Sequence, residues 1–276
     1  MDIFRNQDHP KQMRHKPVIP VLGLLAAFAL AAQDSAKKTD ATGADANKPD
    51  VSSSRANVTA DQVIEKYVVA IGGKEAYQKL RSRAIKATLQ DTAGNPPVKA
   101  EFYAKAPDKW FIELKFSEEA SMREGADSER HWFKNPDGTV SELNKDDMAA
   151  MKNHTDFYRD TRLREIFPKM TLKSREKVGG RECYVIEATP KTGEPEKLYF
   201  DTESGLLLRN DWEAKTPDGP LPRSYYLEDY QQVDGIKFPH TFRQPATDIP
   251  GWTFKITEIK HNVTVDDAMF KKPQEK

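Results

Sequence analysis

Short stretches of alternating apolar and polar residues fill the second half of the chain, and turn residues separate them. The stretches are CYVIEAT, KLYFD, LLLRNDWEAK, RSYYLEDYQQ, IKFPHTFR and WTFKITEIKHNV, and every break between them contains glycine, proline or both. Breaks this short join neighbouring antiparallel strands, because a parallel pair needs a crossover of a dozen or more residues. The pattern therefore predicts an antiparallel meander over residues 183–263.

The sharpest hairpin signal in this region is DYQQVDGIKFPHTFR, residues 229–243. Asp234 and Gly235 tolerate the positive φ angles of a two-residue hairpin turn. Pro239 follows on the returning strand and has no N–H to donate to a neighbouring strand. We therefore expect a hairpin at Asp234-Gly235, with a bulge or a frayed edge at Pro239.

Further strands are expected upstream, in AIKATLQ, KWFIELKF, ERHWF and TVSEL. KWFIELKF has the clearest alternation. Its apolar side chains Trp110, Ile112, Leu114 and Phe116 are expected on one face, with the charged residues between them on the other. Such a strand has one buried face and one solvent-exposed face.

Helical patterns occur at two places. Thr59 and Gln62 have the spacing of a capping box, apolar residues follow at helical intervals, and Gly72-Gly73 ends the pattern before a second short turn in KEAYQKL. The composition of residues 145–170 also predicts helix, in one or two pieces that end at Pro168. We expect the fold to be α+β and mostly antiparallel.

The N-terminus predicts export. Four basic residues precede the apolar run VIPVLGLLAAFALAA, which is too short to span a bilayer and ends in small residues. We assign residues 1–32 to a cleaved signal peptide, 33–57 to a disordered linker without aromatic residues, and 58–276 to the folded domain. No cysteine stands directly after the cleavage site, where a lipid-anchored protein would have one, so we expect a periplasmic protein without a lipid anchor.

Composition excludes several functions. The 43 basic and 43 acidic residues cancel, so no overall charge attracts nucleic acid. Cys183, the one cysteine, cannot form an intramolecular disulfide and is expected to be a small buried residue. The chain is expected to be a monomer.

The sequence contains no local catalytic or metal-binding motif. GxSxG, GxxxxGK[ST], GxGxxG, HExxH and CxxC are all absent. Outside the signal region, His131, His154, His240 and His261 are far apart in sequence and are expected on partly exposed strands or loops. We therefore predict no enzyme activity, catalytic residue, metal or cofactor, although a hydrolase site dispersed over several strands would leave no local signature.

Aromatic and apolar residues are abundant for a single sheet, and two interpretations stay open. The helical segment at residues 145–170 either packs against one face of the sheet as an ordinary core, or leaves an apolar cavity inside a curved sheet. The methionines of that segment favour a cavity slightly, because the flexible thioether adapts to different contents.

The order of these elements resembles the LolA/LolB-like superfamily of bacterial envelope proteins. The resemblance rests on APDKWFIEL, LREIFPKM, YVIEATPKTGEPEKLYFDTESGLLLR, YQQVDGIKFPHTFR and VDDAMFKKP, and it covers residues 59–273. It implies a curved, unclosed β-barrel covered by helices, with a hydrophobic cavity for the acyl chains of a lipid or lipoprotein.

The resemblance also implies a non-catalytic carrier whose partners are an acyl chain and, in some cases, other envelope proteins. An envelope sensor that recognises lipidated or misfolded proteins is the alternative. The implied ligand-binding residues come from one strand and from the lid: Trp110, Ile112, Leu114, Phe116, Met148, Met151, Phe157, Leu163 and Phe167. Aspartate at Phe157 or Leu163 is expected to impair binding more than stability.

Overall fold

A computed structural model describes residues 58–143, 148, 155–191, 193–216, 219–247 and 250–274. The expected signal peptide and linker, residues 1–57, lie outside this range. Within it, thirteen strands form one antiparallel sheet. The strands are β1 Ser82–Asp91, β2 Val98–Lys105, β3 Lys109–Lys115, β4 Ser121–Ala126, β5 His131–Lys134, β6 Val140–Glu142, β7 Lys169–Val178, β8 Arg181–Thr189, β9 Glu196–Asp201, β10 Leu207–Thr216, β11 Gly219–Val233, β12 Ile236–Gln244 and β13 Trp252–His261.

The sheet is open, and its strand order explains where the gap lies. The order is β6-β5-β4-β3-β2-β1-β13-β12-β11-β10-β9-β8-β7, so every neighbour is also a sequence neighbour except the β1–β13 pair. β6 and β7 form the two unpaired rims. Residues 143–168 connect one rim to the other.

The hairpin expected at Asp234-Gly235 is confirmed, since both residues have positive φ angles, 50° and 85°. Between β11 and β12, Asp229 and His240 are the one opposed pair of residues without regular pairing. Asp229 also has a positive φ of 54°. On its other side, β12 pairs with β13 only over residues 241–244. The strands therefore part beside Pro239, as the missing N–H of proline predicts.

Two helices follow residue 58. α1, Ala60–Ala70, has the expected capping box between Thr59 and Gln62. α2, Gly73–Gln78, follows directly. The backbone N–H of Lys237 donates to the Ile71 carbonyl at 2.8 Å, so the end of α1 takes up part of the β12 edge that β13 leaves free.

Residues 155–168, the described stretch before β7, contain less helix than expected. A 3₁₀ helix covers Arg159–Thr161, and α3 covers only Leu163–Ile166. The helix ends before Pro168, as expected, and β7 begins at Lys169 directly after it. We name residues 155–167 the covering segment.

The sheet carries a packed core on each face. The inner core contains α1, α2, the covering segment and the inner side chains of most strands. A smaller outer core consists of Phe111, Trp132, Val265 and Phe270, where a 3₁₀ helix at Asp267–Phe270 packs against β3 and β4. The face of β3 that was expected to be solvent-exposed is therefore partly covered, and Glu113 on this face is only 8% exposed.

The part of the chain that the structure describes holds no helix with the length and apolarity needed to cross a membrane.

Candidate ligand cavity

An apolar cavity lies between the inner face of the sheet and the covering segment. Its volume is about 190 Å³. Strands from both halves of the sheet contribute to its wall, which shows that the sheet curves around it. The wall contains Tyr67, Tyr77, Arg83, Ile85, Phe102, Ala104, Trp110, Ile112, Thr155, Asp156, Phe157, Arg159, Asp160, Leu207, Asn210, Tyr225, Leu227, Tyr230, Lys237, Phe238, Pro239, Phe242, Trp252, Phe254 and Ile256.

Three of the residues expected to bind ligand lie in this wall: Trp110, Ile112 and Phe157. Their role in binding stays a prediction. Three others, Leu114, Leu163 and Phe167, are at most 1% exposed and belong to the packed inner core instead of the cavity wall. For Leu163 this corrects the expected effect of aspartate, which would place a charge in the core and destabilise the fold.

The prediction that Phe116 lines the ligand site is wrong. β3 ends at Lys115, and the backbone N–H of Phe116 donates to the Ala120 carbonyl at 2.9 Å in the turn that follows. The Phe116 side chain is 45% exposed and lies outside the cavity wall. Met148 is a half-buried helical residue, and Met151 lies outside the described residues.

A row of inward-facing residues crosses six strands at one end of the cavity. Cross-strand pairing places six residues side by side: His261, Arg83, Ala104, Trp110, Ala126 and His131. We name these residues the polar row. The next row along the strands is mostly apolar, with Ile259, Ile85, Phe102 and Ile112 in register. Arg83, Ala104 and Trp110 form the polar end of the cavity wall, and the apolar residues beyond them on β1, β2 and β3 form its apolar body. Polar residues such as Asn210 and Lys237 line other parts of the wall.

Arg83 is the charged member of the polar row that lines the cavity. It is 8% exposed, and its guanidinium lies 4.5 Å from the Phe238 ring centroid and 5.3 Å from that of Phe157. Burial lowers its pKa, and the nearby Tyr77 and Asp160 oppose that shift. Its Nη2 atom is buried without a hydrogen-bond partner. Buried cations normally have an anionic partner, so this guanidinium is unusual.

His261 orients the guanidinium without neutralising it. Arg83 Nε donates to His261 Nε2 at 3.1 Å, so the imidazole must accept at that nitrogen. Its other nitrogen, Nδ1, lies 2.9 Å from Asp234 Oδ2 at the β11–β12 turn. Burial, followed by the charge of Arg83, lowers the pKa of His261, which favours the neutral imidazole.

The covering segment is fixed to the helices and to the β2–β3 turn. Phe157 N donates to the Pro107 carbonyl at 2.9 Å, and Tyr158 Oη donates to the Leu80 carbonyl at 2.9 Å. Tyr67 Oη donates to Asp160 Oδ1 at 3.1 Å. These contacts hold the Phe157 ring over the cavity.

At the β5 end of the polar row, His131 and Glu124 form a buried pair. His131 Nε2 lies 2.6 Å from Glu124 Oε1, and neither residue is more than 3% exposed. Burial raises the pKa of Glu124, and the hydrogen bond from His131 opposes the shift. Trp110 packs edge-on against the imidazole, and both Trp110 Nε1 and His131 Nδ1 are buried without a partner.

The expectation of partly exposed histidines is therefore wrong for His131, His240 and His261. His131 is 1% exposed, His240 is 7% exposed, and the side chain of His261 is 1% exposed. His154 lies outside the described residues. Within the described ranges, no group of three or more His, Cys, Asp or Glu side chains is arranged to hold a metal ion.

The sequence analysis did not predict Arg83 as a cavity residue, although the alternation along β1 indicates it. Ile85, Ala87 and Leu89 alternate inward along β1, and extending the alternation back by two residues reaches Arg83. An arginine in phase with an apolar face indicates a buried charge. The Glu124–His131 pair lies on two strands, so no local motif marks it.

No protein-family model and no curated protein sequence matches the chain. Solved structures do match. A DUF1329 family protein from Desulfovibrio piger is 14% identical with a TM-score of 0.55, and the match covers 76% of this chain and 96% of that one. For an outer membrane lipoprotein-sorting protein domain from Vibrio parahaemolyticus, the identity is 11%, the TM-score 0.54, and the coverage 75% and 97%.

A LolA superfamily protein from Nitrosomonas europaea is similar to the same extent, with 13% identity, a TM-score of 0.53, and coverage of 78% of this chain and 98% of that one. At such identities the likeness concerns the fold. It confirms the resemblance drawn from the sequence: this chain has a LolA/LolB-like fold, a large unclosed antiparallel sheet with few helices.

Proposed function

We propose that the chain is a non-catalytic carrier that shelters the acyl chain of a lipid or lipoprotein in the cavity under the covering segment. The observation that carries the proposal is the cavity itself, whose body is lined by aromatic and aliphatic side chains within a LolA/LolB-like fold. Phe238, Phe242 and Phe254 are only half-buried, because their rings face the cavity. Apolar surface of this kind gains free energy when a hydrocarbon covers it.

The size of the cavity limits what it holds as it stands. Pockets for drug-sized ligands usually measure about 300–1,000 Å³, and an empty space of roughly 150 Å³ holds a benzene molecule. With about 190 Å³, this cavity admits only part of a long acyl chain. Binding a whole chain therefore requires the covering segment to move, and Phe157 is the residue that leaves the cavity.

Such a movement also makes release possible. Burying one CH₂ group is worth about 0.8 kcal/mol, so a sixteen-carbon chain would gain on the order of 12 kcal/mol before any cost. Displacing Phe157 exposes an aromatic ring and breaks its contact with Arg83, which offsets part of that gain. A carrier needs this offset, because cargo held with the full gain would not leave.

We also propose that the protein is located in the periplasm. Residues 1–32 direct export to the periplasm and are removed, residues 33–57 form a linker, and residues 58–276 carry the cavity as a monomer without a lipid anchor. N-terminal sequencing and intact mass of the protein from its own envelope fraction check the cleavage site.

Native mass spectrometry of that same protein tests the function. We expect a fraction of the molecules to carry an additional mass that dissociates as a lipid or acylated peptide. Protein without any such mass, and without affinity for a fluorescent fatty acid, would contradict the proposal. Turnover of a panel of ester and glycoside substrates would contradict its non-catalytic part.

A matched pair of variants tests the covering segment. Phe157→Asp puts a carboxylate beside Arg83, where it can pair with the guanidinium and occupy the polar end of the cavity. Phe116→Asp makes the same change at an exposed position outside the cavity. We expect at least a tenfold weaker affinity for the fluorescent fatty acid in the first variant and wild-type affinity in the second. Equal affinities would contradict the assignment of Phe157.

A further inference from the structure

Two residues that line the cavity from the same row of the sheet each carry a buried hydrogen-bond donor without a partner. The donors are Arg83 Nη2 on β1 and Trp110 Nε1 on β3, and neither has a partner among the residues that the structure describes. Both residues line the cavity, at 8% and 3% exposure. An indole N–H and a guanidinium N–H can only donate. The missing partner on each side is therefore a hydrogen-bond acceptor.

The residue between the two donors leaves room for such an acceptor. Ala104 on β2 pairs with Arg83 on one side and with Trp110 on the other, and it also lines the cavity. Adjacent strands lie about 4.8 Å apart, so the two donors rise from backbones roughly 10 Å apart with only a methyl group between them. A small head group fits above that methyl.

The charge of this end of the cavity favours an anion. Among the described residues, no carboxylate oxygen lies within 4.0 Å of the Arg83 guanidinium, whose direct partners are the His261 imidazole and two aromatic rings. Asp160 is the acid whose charge reaches Arg83, and its Oδ1 accepts from Tyr67. A cation buried without a directly paired anion is costly, and a ligand anion would remove that cost.

The residues that follow the polar row along the strands suit a hydrocarbon. Ile85, Phe102 and Ile112 are in register in the adjacent row, and Trp252 and Phe254 line the cavity beside the far end of β1. The wall thus presents donors at one end and hydrocarbon or aromatic groups beyond. This is the pattern that an amphiphile with one polar end complements.

We propose that the ligand is an anionic amphiphile, whose carboxylate or phosphate head is held by Arg83 and Trp110 over Ala104 while its chain occupies the apolar body of the cavity. The proposal rests on the carrier function above and specifies its ligand class. The guanidinium supplies charge and a planar pair of donors, and the indole supplies one neutral donor. Both act as binding groups, and no bond is made or broken.

The test compares an acid with its neutral ester at pH 7. The probes are cis-parinaric acid and its methyl ester, which share one fluorescent chain. We expect the wild-type protein to bind the acid at least tenfold more tightly than the ester. Hexadecyl phosphate and hexadecanol, used as competitors of the bound acid, extend the comparison to a phosphate head.

Three variants assign the preference to residues. In Arg83→Met the acid and the ester should bind with equal affinity, and in Trp110→Phe the preference should fall a few-fold. Lys86→Met is the matched control, since Lys86 lies on the other face of β1 and pairs with Glu258. It removes one positive charge outside the cavity and should leave the preference unchanged.

The outcomes separate this proposal from the carrier function. If the wild-type protein binds both probes equally well, or if Arg83→Met keeps the tenfold preference, the head-group proposal is wrong and the carrier function stands. If the wild-type protein binds neither probe, the carrier function itself is contradicted. The wild-type comparison decides the question even where a variant folds poorly.

Discussion

Trp132 and Trp110 lie on opposite faces of the sheet, and their indole N–H groups differ in hydrogen bonding. On the outer face, Trp132 Nε1 donates to the Phe270 carbonyl at 2.8 Å, and its ring lies directly against Gly125. On the inner face, Trp110 Nε1 is buried without a partner. Buried polar atoms in folded proteins are satisfied in the great majority of cases. The outer core therefore follows the rule for a stable structure, and the inner face departs from it where a ligand would bind.

The same contrast applies to packing. Phe270 in the outer core is fully buried, whereas the inner residues Phe238, Phe242 and Phe254 keep part of their surface toward the cavity. A filled core stabilises, and an unfilled wall keeps the capacity to bind. The outer core is thus filled, whereas the inner face combines a packed core with an open cavity wall, and four measurements test this contrast.

The largest expected effect compares phenylalanines from the two faces. Phe270→Ala should lower the free energy of unfolding by about 3–5 kcal/mol, because it leaves a cavity in a filled core. Phe242→Ala removes a half-buried ring with two aromatic neighbours and should cost about 1–2 kcal/mol. Urea unfolding of both variants measures the difference. Equal losses would mean that the inner wall is packed as tightly as the outer core.

The next effect concerns the space occupied by Trp132. A Cβ added at Gly125 would lie 2.5 Å from Trp132 Cζ2, so Gly125→Ala should cost about 1–3 kcal/mol through overpacking. The cost should decrease when Trp132 is first replaced by leucine, since the ring that clashes is then absent. A double-mutant cycle by urea unfolding gives this coupling. Additive costs would show that the outer core adjusts without strain.

A smaller effect separates the two indole N–H groups. Trp132→Phe leaves the Phe270 carbonyl without its donor, whereas Trp110→Phe removes a donor that has no partner. Both changes remove a similar volume of ring. We therefore expect Trp132→Phe to be the more destabilising by about 1 kcal/mol in thermal or urea unfolding. The reverse order would contradict the contrast between the two faces.

The smallest effects are pH-dependent and have opposite signs on the two faces. Burial alone would raise the pKa of Glu113 on the outer face, but the hydrogen bond and charge of Arg123, at 2.7 Å, lower it below its usual value. Glu113 therefore stabilises the fold above its unfolded pKa of about 4.5, and this contribution is lost as the pH falls through the lowered value. Burial raises the pKa of Glu124 on the inner face. Its contribution is fully present below about pH 4.5 and is lost as the pH rises through the raised value.

Unfolding of the two glutamine variants between pH 3 and pH 8 measures these contributions. Relative to the wild type, Glu113→Gln should lose stability as the pH rises from the lowered pKa of Glu113 to about 4.5, and Glu124→Gln should gain stability as the pH rises from about 4.5 through the raised pKa of Glu124. Parallel pH profiles for the two variants would show that the two carboxyl groups have similar surroundings.

The strands were predictable where alternation and turn residues coincide. Asp234-Gly235 and Pro239 predicted both a hairpin and the place where β12 leaves β13, because each depends on the backbone of one or two residues. β2, β4 and β7 were not identified. In Lys169–Val178 a run of exposed charged residues hides the alternation, since this rim strand packs on one side only.

The cavity was predictable only in part. Trp110 and Ile112 alternate along one strand and do line it, whereas Phe116 continues the same alternation past the end of the strand and does not. Pairing of six strands creates the polar row, and each strand contributes one residue to it, so no local sequence pattern marks the row. Cys183 was correctly placed as a buried thiol, whose pKa burial raises to about 11.

The chain leaves the sheet at one rim, β6, and returns to it at the other, β7. Residues 143–168 therefore join the two rims, and residues 155–167 of this connection cover the cavity. In the proposed carrier, a ligand that displaces the covering segment thus moves a stretch of chain whose next element is one rim of the sheet. We expect a disulfide between the covering segment and β7 to slow both the entry and the release of a ligand.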